Sequence, residues 1–597
     1  MSSKHRLVPV FLAVLGAGVP APAGADEIVV EVDGSAPGDR LISSPWNTLT
    51  TWRPAEVPPG PAADNPMIRT ICFFNATGGQ VDAPENELYD EDAGGNPVYH
   101  FDRLTSKIDT VLAEGLQPYL TISSVPLKLA SDPSAISSAF ANNTSPPADW
   151  DRYYAYIQAL FEQLDAVYGE GEVASWRYRF MTEQDNRDWW TGTMDEYFRF
   201  YDYTVSAARA ANPGVVIDPG NYLGLGSTWI DAAAARLESG TFSIPGEEPV
   251  VPRVLHISMY RPWSVGDASS PWDLFADVEE VRARLAPYPS RAAVPVAIDE
   301  GYIGVDENDR VMYARLDGTE LGGAHVALLT HVLVELEFSW GALWSTGSPQ
   351  VPPPARNVIN LFEGWIAGNL IVDSPIVSGT PTGENVVHAL AAKPGGSATG
   401  SVRLMLYTYN RTRGAADMET VRVRITGLPA APVSVTQFAV DRDHGNYSAR
   451  WLADSAAIPR DAYGYELSPY DLNPLQGIRD EGFALWAANE AAYAELARVG
   501  VIMDRVPMTP MSDGMLEISV DLPSNAVAFL VFEAEAPAEE GETAVETEGM
   551  AEAEADVEAE AIPEVPDVAE AADAPVDSAA EEEGGGGEGG CGCSVAS

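Results

Sequence analysis

Apolar and polar residues follow two different patterns along the chain and divide it into two parts. Between about residues 67 and 369, short apolar runs are followed by longer stretches whose apolar positions lie three and four apart. This pattern is typical of repeated strand–helix units, which build a parallel sheet. After Asp373 the runs shorten and alternate with a period of two between turn residues, which indicates antiparallel strands.

The first part supplies enough units for a closed barrel. The predicted strands are Thr48–Trp52, Met67–Phe74, Pro118–Ser123, Trp176–Met181, Val215–Asp218, Val254–Tyr260, Pro295–Ile298 and Gly341–Trp344. The predicted helices are Phe101–Ala113, Trp150–Tyr168, Met194–Ala211, Thr228–Glu238, Pro271–Leu285, Thr319–Glu337 and Arg356–Asn369. Eight parallel strands with helices between them predict an α/β fold, the (β/α)8 or TIM barrel.

The second part predicts a separate antiparallel β-sandwich. Its strands are Val386–Ala391, Val402–Tyr409, Val421–Ile425, Val433–Val440, Leu516–Val520 and Ala526–Phe532, with one helix at Trp486–Arg498. The early run Glu27–Val32 is a candidate additional strand of the sandwich. We therefore expect an N-terminal strand segment at 26–40, a barrel at 41–372 and a sandwich at 373–532.

The N-terminus has the layout of a secretory signal peptide. Residues 1–25 begin with basic side chains, continue with the apolar run from Leu7 to Val19, and end with Ala23 and Ala25 ahead of Asp26. The apolar run is too short to span a bilayer permanently. We expect cleavage near Asp26 and an exported, extracellular protein.

The C-terminal segment 533–597 has a composition that cannot form a packed core. It carries 21 acidic and no basic side chains, is rich in Ala, Glu and Pro, and ends in a glycine-rich stretch. We expect a disordered, self-repelling tail. Its final stretch around Cys591 and Cys593 resembles the start of the C-terminal sorting signals of myxobacterial surface proteins, which implies attachment to the cell surface through these cysteines.

Overall composition excludes two classes of protein. The 597 residues are 46% hydrophobic, so the bulk of the chain can bury a large core and is not disordered. The formal net charge of −53 repels phosphate backbones, which argues against a nucleic-acid partner. With only three cysteines there is no disulfide framework, and Cys72 lies inside an apolar run.

Two glutamates lie just after predicted barrel strands, on opposite sides of the barrel. Glu183 comes after strand four and Glu300 after strand seven. Active sites of TIM barrels lie at the C-terminal ends of the strands. Two carboxyl groups in such a place can flank a glycosidic bond, one as proton donor and the other as nucleophile.

Other residues at the predicted strand ends fit supporting roles. His256 and Tyr260 close strand six, and Arg69 in strand two is a candidate cation beside the nucleophile. Aromatic side chains that offer flat faces to sugar rings are Trp189, Trp190, Trp340 and Trp344. Each of these residues also fits a structural role, as a core histidine, a salt-bridged arginine or a packing tryptophan, and only their joint placement favours a site.

Several segments resemble glycoside hydrolase family 39, which contains β-xylosidases and α-L-iduronidases. Those that carry the resemblance are Tyr99–Asp102, Gly115–Tyr119, Pro126–Ser131, Trp176–Glu183, Asp188–Thr193, Glu196–Phe198, Phe438–Asp441, His444–Tyr447, Trp451 and Leu522–Pro523. The resemblance implies a retaining enzyme built on a (β/α)8 barrel. It also implies that Glu183 is the acid/base and Glu300 the nucleophile.

The chain departs from the family pattern at three positions. Thr182 and Gln184 flank Glu183 where the family usually has Asn and Pro, and Ile71 stands where a histidine often occurs. That Asn normally contacts the hydroxyl beside the reacting carbon. We therefore expect Thr182 to alter the substrate pocket.

These observations favour a secreted retaining glycoside hydrolase that acts from the exposed end of an oligo- or polysaccharide. A β-xyloside is the leading substrate, with an iduronide or arabinopyranoside behind it. The alternative is a non-catalytic surface carbohydrate-binding protein that keeps the fold. No metal and no nucleotide cofactor are implied, because His, Asp and Glu lack ligand spacing and the glycines around Asn221 lack a nucleotide-binding spacing.

Overall fold

A computed structural model describes residues 27–534, except for 37, 39, 52–67, 138–140, 264–269, 293, 306–317, 343–350, 396–400, 413, 429–430 and 459–479. For 51, 260–263, 302–305, 480 and 534 it describes the backbone. The predicted signal peptide (1–25) and nearly all of the predicted tail lie outside the described residues. Export, surface attachment and the disorder of the tail therefore stay predictions.

The described part is a mixed α/β structure with several sheets. Its strands are β1 (Ile28–Asp33), β2 (Thr48–Thr51), β3 (Thr70–Phe73), β4 (Tyr89–Glu91), β5 (Pro97–Tyr99), β6 (Gln117–Ile122), β7 (Arg177–Phe180), β8 (Asn221–Tyr222), β9 (Leu255–Trp263), β10 (Val296–Val305), β11 (Leu370–Val372), β12 (Ile376–Ser378), β13 (Val386–Lys393), β14 (Val402–Tyr409), β15 (Met418–Thr426), β16 (Val433–Val440), β17 (Gly500–Met508), β18 (Leu516–Pro523) and β19 (Val527–Ala534). Its α-helices are α1 (Asp102–Ala113), α2 (Trp150–Tyr168), α3 (Glu170–Ser175), α4 (Met194–Ala211), α5 (Thr228–Glu238), α6 (Leu274–Leu285), α7 (Pro289–Ala292), α8 (Glu320–Glu335), α9 (Pro354–Trp365), α10 (Ser448–Asp454) and α11 (Asp480–Leu496).

Two parallel sheets form a ring in the first part of the chain. One has the strand order β2-β3-β6-β7 and the other the order β10-β9-β8. A parallel bridge between Arg179 and Asp218 joins them on one side. On the other side Ile298 bridges to Gly341, whose N–H donates to the carbonyl of Pro45, just before β2, at 2.7 Å. The ring therefore closes through eight parallel segments, as in a TIM barrel.

Two of the predicted barrel strands are wrong in detail. The segment Val215–Asp218 forms no strand of its own. Asp218 instead contributes an isolated bridge, and the two-residue strand β8 follows it. The predicted strand Gly341–Trp344 is reduced to the bridge at Gly341 among the described residues. Both segments are only four residues long, so the neighbouring strands define their place more than their own pattern does.

Helices on the outside of the ring follow the apolar period closely. The bounds of α2, α4 and α5 coincide with those predicted from the sequence. Thr193 and Glu196 form a capping box at the start of α4, which satisfies backbone N–H groups of its first turn. Within the described ranges, no helix is long and apolar enough to cross a membrane.

A two-sheet sandwich follows the barrel. One sheet has the order β12-β1-β15-β18 and the other the order β11-β13-β14-β19-β16-β17. A shared apolar core lies between them, with Val30 and Val423 from the first sheet and Leu404 and Leu530 from the second. Strand β1 pairs with β15 in parallel, so the sandwich is not purely antiparallel as the sequence pattern suggested.

Gly220 lies where the chain passes from the Asp218 bridge to β8, and its missing side chain makes room for Gln184. Its φ is +64°, and a Cβ there would overlap the buried Gln184 carboxamide. Gly240 has the same φ of +64°, but nothing lies within 4 Å of the corresponding Cβ position. A comparison of alanine substitutions at these two positions therefore separates the cost of backbone strain from the cost of steric overlap.

We expect Gly220→Ala to destabilise the protein more than Gly240→Ala. Both variants place an alanine in the left-handed region, which costs about 1–2 kcal/mol. Gly220→Ala adds overpacking against Gln184, which costs about 1–3 kcal/mol more. Urea denaturation of both variants measures the difference, and equal losses would contradict the close packing at Gly220.

Candidate active site

Glu183 lies on a tight turn immediately after strand β7. Met181 and Glu183 both have positive φ values, of 56° and 43°, a conformation that residues other than glycine rarely adopt. The turn is held because the N–H of Glu183 donates to the carbonyl of Asn221 at 2.7 Å. The Glu183 side chain is buried. Such strain in a buried acid is common at functional sites.

A β-bulge at Asp299 determines where Glu300 points. In the pairing of β10 with β9, Ile298 lies opposite Ile257 and Glu300 lies opposite Ser258, so Asp299 is the extra residue. Ile257 and Ile298 belong to the apolar core under the helices. Because alternate residues face opposite sides of a strand, Glu300 would face those helices without the bulge. With it, Asp299 and Glu300 both face the barrel interior.

Two side chains from neighbouring strands hold the Glu300 carboxylate. The Nδ2 atom of Asn221 donates to its Oε1 at 2.6 Å, and Ser258 Oγ donates to the same oxygen at 2.8 Å. Asn221 Nδ2 also donates to Ser258 Oγ at 3.0 Å. Hydrogen bonds of this kind favour the ionised form of a carboxyl group.

Asn221 also contacts the other acid, because its carbonyl accepts from the N–H of Glu183 at 2.7 Å. The Glu183 side chain in turn accepts at Oε2 from Asn186 Nδ2 at 3.2 Å. One residue thus contacts both acids, with its backbone at Glu183 and its side chain at Glu300. The two acids are therefore neighbours in one polar pocket, although 117 positions separate them along the chain.

The two acids do not have the same environment. Burial, together with the nearby charge of Glu300, raises the pKa of Glu183 to about 8, although the hydrogen bond from Asn186 opposes this shift. At neutral pH Glu183 therefore carries a proton and can donate it. Glu300 accepts two hydrogen bonds and can act as an anion.

A buried charged layer lies in the barrel interior around Asp299. The Asp299 carboxylate accepts from Tyr119 Oη at 2.7 Å, Trp340 Nε1 at 2.8 Å and Arg179 Nη1 at 3.1 Å, and its Oδ2 lies 2.9 Å from His256 Nδ1. Thr50 Oγ1 donates to the backbone carbonyl of Asp299 at 2.8 Å, so this carbonyl has a hydrogen-bond partner in the bulge. Since four of these side chains come from other strands, the layer ties the ring together.

Charges within this layer stabilise each other. Burial alone would raise the pKa of Asp299, but His256 and Arg179 hold it well below its usual range. Burial alone would lower the pKa of His256, but the carboxylates of Asp299 and Asp218 raise it to about 9. His256 is therefore a cation at neutral pH, balanced by the two aspartates.

Two of the predicted supporting residues lie elsewhere. Arg69 precedes β3 at the N-terminal end of the strands, is exposed, and donates to the carbonyl of Ile68, so it is not the cation beside Glu300. The prediction was wrong because β3 begins only at Thr70. His256 contacts Asp299 and Asp218 in the charged layer. Its structural interpretation therefore fits better than substrate binding.

Two of the predicted sugar platforms are packing residues. Trp190 is buried, stacks on Phe200 at 5.6 Å and donates from Nε1 to the carbonyl of Thr193. Trp340 is buried under the guanidinium of Arg177, at 4.1 Å, and donates to Asp299. Neither offers a free face to a sugar, because the helical and barrel cores cover the rings.

The remaining predicted residues divide into two groups. Trp189 lies beside Phe74, with ring centroids 5.4 Å apart, and Thr182 is buried next to Glu183 with no hydrogen-bond partner for its Oγ1 among the described residues. Trp344 and the side chain of Tyr260 lie outside the described residues, and β9 continues past Tyr260 to Trp263.

In the part of the chain that the structure describes, no group of three His, Cys, Asp or Glu side chains is arranged to hold a metal ion.

Sequence reasoning missed Asn221 and Ser258, which contact Glu300 directly. The run around Asn221 has no apolar pattern, so the sequence predicts only a glycine-bearing loop there. Ser258 had a detectable signal, because it lies two positions after His256 and two before Tyr260 and so shares their face of the strand. Arg179 follows the same rule on β7, where it faces the interior and bonds Asp299.

Part of the chain matches a known protein family. Residues 84–231, which include Glu183 and Asn221, match the family described as Glycosyl hydrolases family 39. A β-xylosidase of Caldicellulosiruptor saccharolyticus is 30% identical over 128 residues, which are 20% of this chain and 26% of that protein. The aligned segment therefore spans about a quarter of that relative.

Solved structures extend the likeness to nearly all of the fold. The family 39 enzyme of Xanthomonas axonopodis pv. citri has a TM-score of 0.64 and 16% identity, over 86% of this chain and 99% of that one. A monomeric β-xylosidase of Caulobacter crescentus has a TM-score of 0.60 and 16% identity, over 85% and 100%. These structures show a shared fold, and the family match agrees with the family 39 resemblance of the sequence.

Proposed function

We propose that the protein is a retaining glycoside hydrolase in which Glu183 is the acid/base and Glu300 the nucleophile. The observation that carries the proposal is that Asn221 contacts both acids inside the barrel, since its carbonyl accepts from the N–H of Glu183 at 2.7 Å and its Nδ2 donates to Glu300 Oε1 at 2.6 Å. In retaining enzymes the two carboxyl groups lie about 5–5.5 Å apart, so that one of them attacks the sugar directly.

In the first step a Glu300 oxygen forms a bond to the anomeric carbon. The bond between this carbon and the leaving oxygen breaks, its electron pair stays with that oxygen, and Glu183 supplies the proton. The products are a glycosyl ester on Glu300, an ionised Glu183 and a free alcohol. The proton on buried Glu183 is what makes this step available near neutral pH.

In the second step water replaces the ester. Glu183, now ionised, takes a proton from the water molecule, and the water oxygen bonds to the anomeric carbon. The ester bond breaks and its electrons return to the Glu300 carboxylate. Two displacements on the same carbon retain its configuration.

The proposed substrate is a β-linked xyloside, released from the exposed end of an oligo- or polysaccharide. Support comes from the relative named β-xylosidase, which aligns with a segment of this chain, and from the β-xylosidase structure with the same fold. Export is part of the proposal, because the pattern of residues 1–25 is typical of a secretory signal peptide. The comparisons do not favour the non-catalytic interpretation.

We expect the purified protein to hydrolyse at least one aryl glycoside in a panel of xylosides, arabinosides, glucosides and uronides, with retention. Glu300→Gln loses about a thousandfold or more of kcat, because no nucleophile remains. Proton NMR of the sugar first released identifies its configuration. Glu363→Gln is the matched control, since Glu363 is also buried but lies on α9 against Ser44, and we expect it to keep its activity.

An inert wild-type protein, an inverted product or a fully active Glu300→Gln variant would each contradict the proposal. Folding of each variant is checked by circular dichroism, so that a loss of activity is not a loss of structure.

The pH dependence identifies the role of Glu183 separately. As pH rises through about 8, Glu183 loses its proton, and kcat/KM for an alkyl glycoside falls because its leaving group needs that proton. In Glu183→Gln this alkaline limb disappears and the rate on the alkyl glycoside falls about 100- to 10,000-fold. With a dinitrophenyl glycoside, whose leaving group needs no proton, the rate of the first step falls far less in Glu183→Gln. An unchanged alkaline limb in Glu183→Gln would assign the proton to another group.

A further inference from the structure

The side chain of Asn221 has one hydrogen-bonding atom that no described residue uses. It is fully buried on β8, and its Nδ2 donates to Glu300 Oε1 at 2.6 Å and to Ser258 Oγ at 3.0 Å. A carboxamide nitrogen has two hydrogens, so both of its donors are used. The side-chain oxygen Oδ1 has no hydrogen-bond partner among the described residues.

The contact with Glu300 determines which way the Asn221 carboxamide points. A flipped amide would place Oδ1 against the Glu300 carboxylate, where two acceptors would repel each other. Oδ1 is therefore an acceptor held in one place. A buried acceptor without a donor is unfavourable, so an unused one beside the proposed nucleophile indicates a ligand that donates to it.

One hydroxyl of the sugar comes near this acceptor in the proposed reaction. Oδ1 and Nδ2 are bonded to the same carbon, so Oδ1 lies within about 5 Å of Glu300 Oε1. In a reactive complex the anomeric carbon lies about 3–3.5 Å from the attacking oxygen. The 2-hydroxyl is on the next ring carbon and is the ring hydroxyl closest to the reacting carbon. Burial does not exclude this contact, because Glu300 itself, which has to meet the sugar, is buried as well.

We propose that Asn221 Oδ1 accepts a hydrogen bond from the 2-hydroxyl of the sugar, so that Asn221 is a specificity-determining residue for glycosides with a free 2-hydroxyl. The proposal rests on the proposed function. Hydrogen bonds to the 2-hydroxyl strengthen in the transition state of glycoside hydrolysis. Because the same carboxamide bonds Glu300, it aligns the sugar with the nucleophile.

Two neighbouring residues are competing candidates for this contact. Thr182 and Gln184 are also buried and have side-chain polar atoms without a partner among the described residues. They flank Glu183 in the sequence, and Gln184 packs against Gly220. Of these three residues, Asn221 is the one whose side chain bonds Glu300, which is why we favour it.

The 2-deoxy counterpart of the aryl glycoside that the wild type hydrolyses best tests the contact. We expect the wild-type kcat/KM to be about 100-fold or more lower for the 2-deoxy substrate. In Asn221→Ala both substrates react more slowly, because Glu300 loses a hydrogen bond, but the ratio between them shrinks about 10-fold or more. Comparing ratios cancels the intrinsic difference in reactivity of the two substrates. Asn221→Leu, which has a similar shape and no polar side-chain atoms, should give the same small ratio and leaves less of a cavity.

Matched variants separate this contact from a general loss of activity. Ser258→Ala removes the other hydrogen bond to Glu300 Oε1, and Thr182→Val removes a competing hydroxyl. Both variants should keep the wild-type ratio, whatever their effect on the rate. A 3-deoxy substrate is the control for ring position, because Asn221→Ala should not change its disadvantage relative to the parent glycoside.

The outcomes separate the two proposals. An active wild-type protein that does not discriminate against the 2-deoxy substrate, or folded Asn221→Ala and Asn221→Leu variants that discriminate as strongly as the wild type, overturn the role of Asn221 alone. Discrimination that is lost in Thr182→Val assigns the contact to Thr182 and overturns it as well. A wild-type protein that hydrolyses no glycoside overturns the proposed function, and this role with it.

Discussion

The site depends on a buried ionic contact at the bulged residue of β10. Asp299 carries a negative charge in the barrel interior, where an isolated ion would be very unstable, and it is stabilised only because Arg179 and His256 supply cations and Tyr119 and Trp340 supply hydrogen bonds. These partners come from four different segments of the ring. The contact thus joins the strands and at the same time fixes the bulge.

The bulge has a direct consequence for the acid that follows it. Regular alternation would place Asp299 and Glu300 on opposite faces of β10, whereas the extra residue puts both inside the barrel. Gly301 comes next, and a Cβ there would collide with the carbonyl of Met259, so this strand position has no room for a side chain. The charge on Asp299 is neutralised within its own layer. Glu300 and Glu183 therefore form a separate pair above it.

The different roles proposed for Glu183 and Glu300 follow from the electrostatics of the pair. Burial makes two neighbouring anions costly, so one of the acids retains its proton. Among the described residues the Glu183 carboxyl accepts one side-chain hydrogen bond, from Asn186, whereas Glu300 accepts from both Asn221 and Ser258. In the proposed mechanism the acid with more hydrogen bonds, Glu300, is the anion and Glu183 is the proton donor, which is the arrangement that double displacement needs.

The amphipathic elements could be predicted from the sequence, whereas the contacts that position the two candidate acids could not. Helices such as Trp150–Tyr168 have long periodic patterns and bury one face, so their bounds were predicted correctly. The bulge at Asp299 leaves no trace in an apolar run, because it depends on pairing with a distant strand. Arg69 was misplaced by the late start of β3, and Asn221 was missed because an irregular segment with glycines has no period.

Covalent trapping is the most direct test of the central claim that Glu300 attacks the sugar while Glu183 protonates the departing oxygen. A dinitrophenyl 2-deoxy-2-fluoro-xyloside slows the second step more than the first, so the ester accumulates. Intact-mass spectrometry should then show one added fluorosugar per chain, and peptide mapping should locate it on Glu300. Turnover of ordinary xylosides without a trapped ester, or a label on any other residue, would contradict the account.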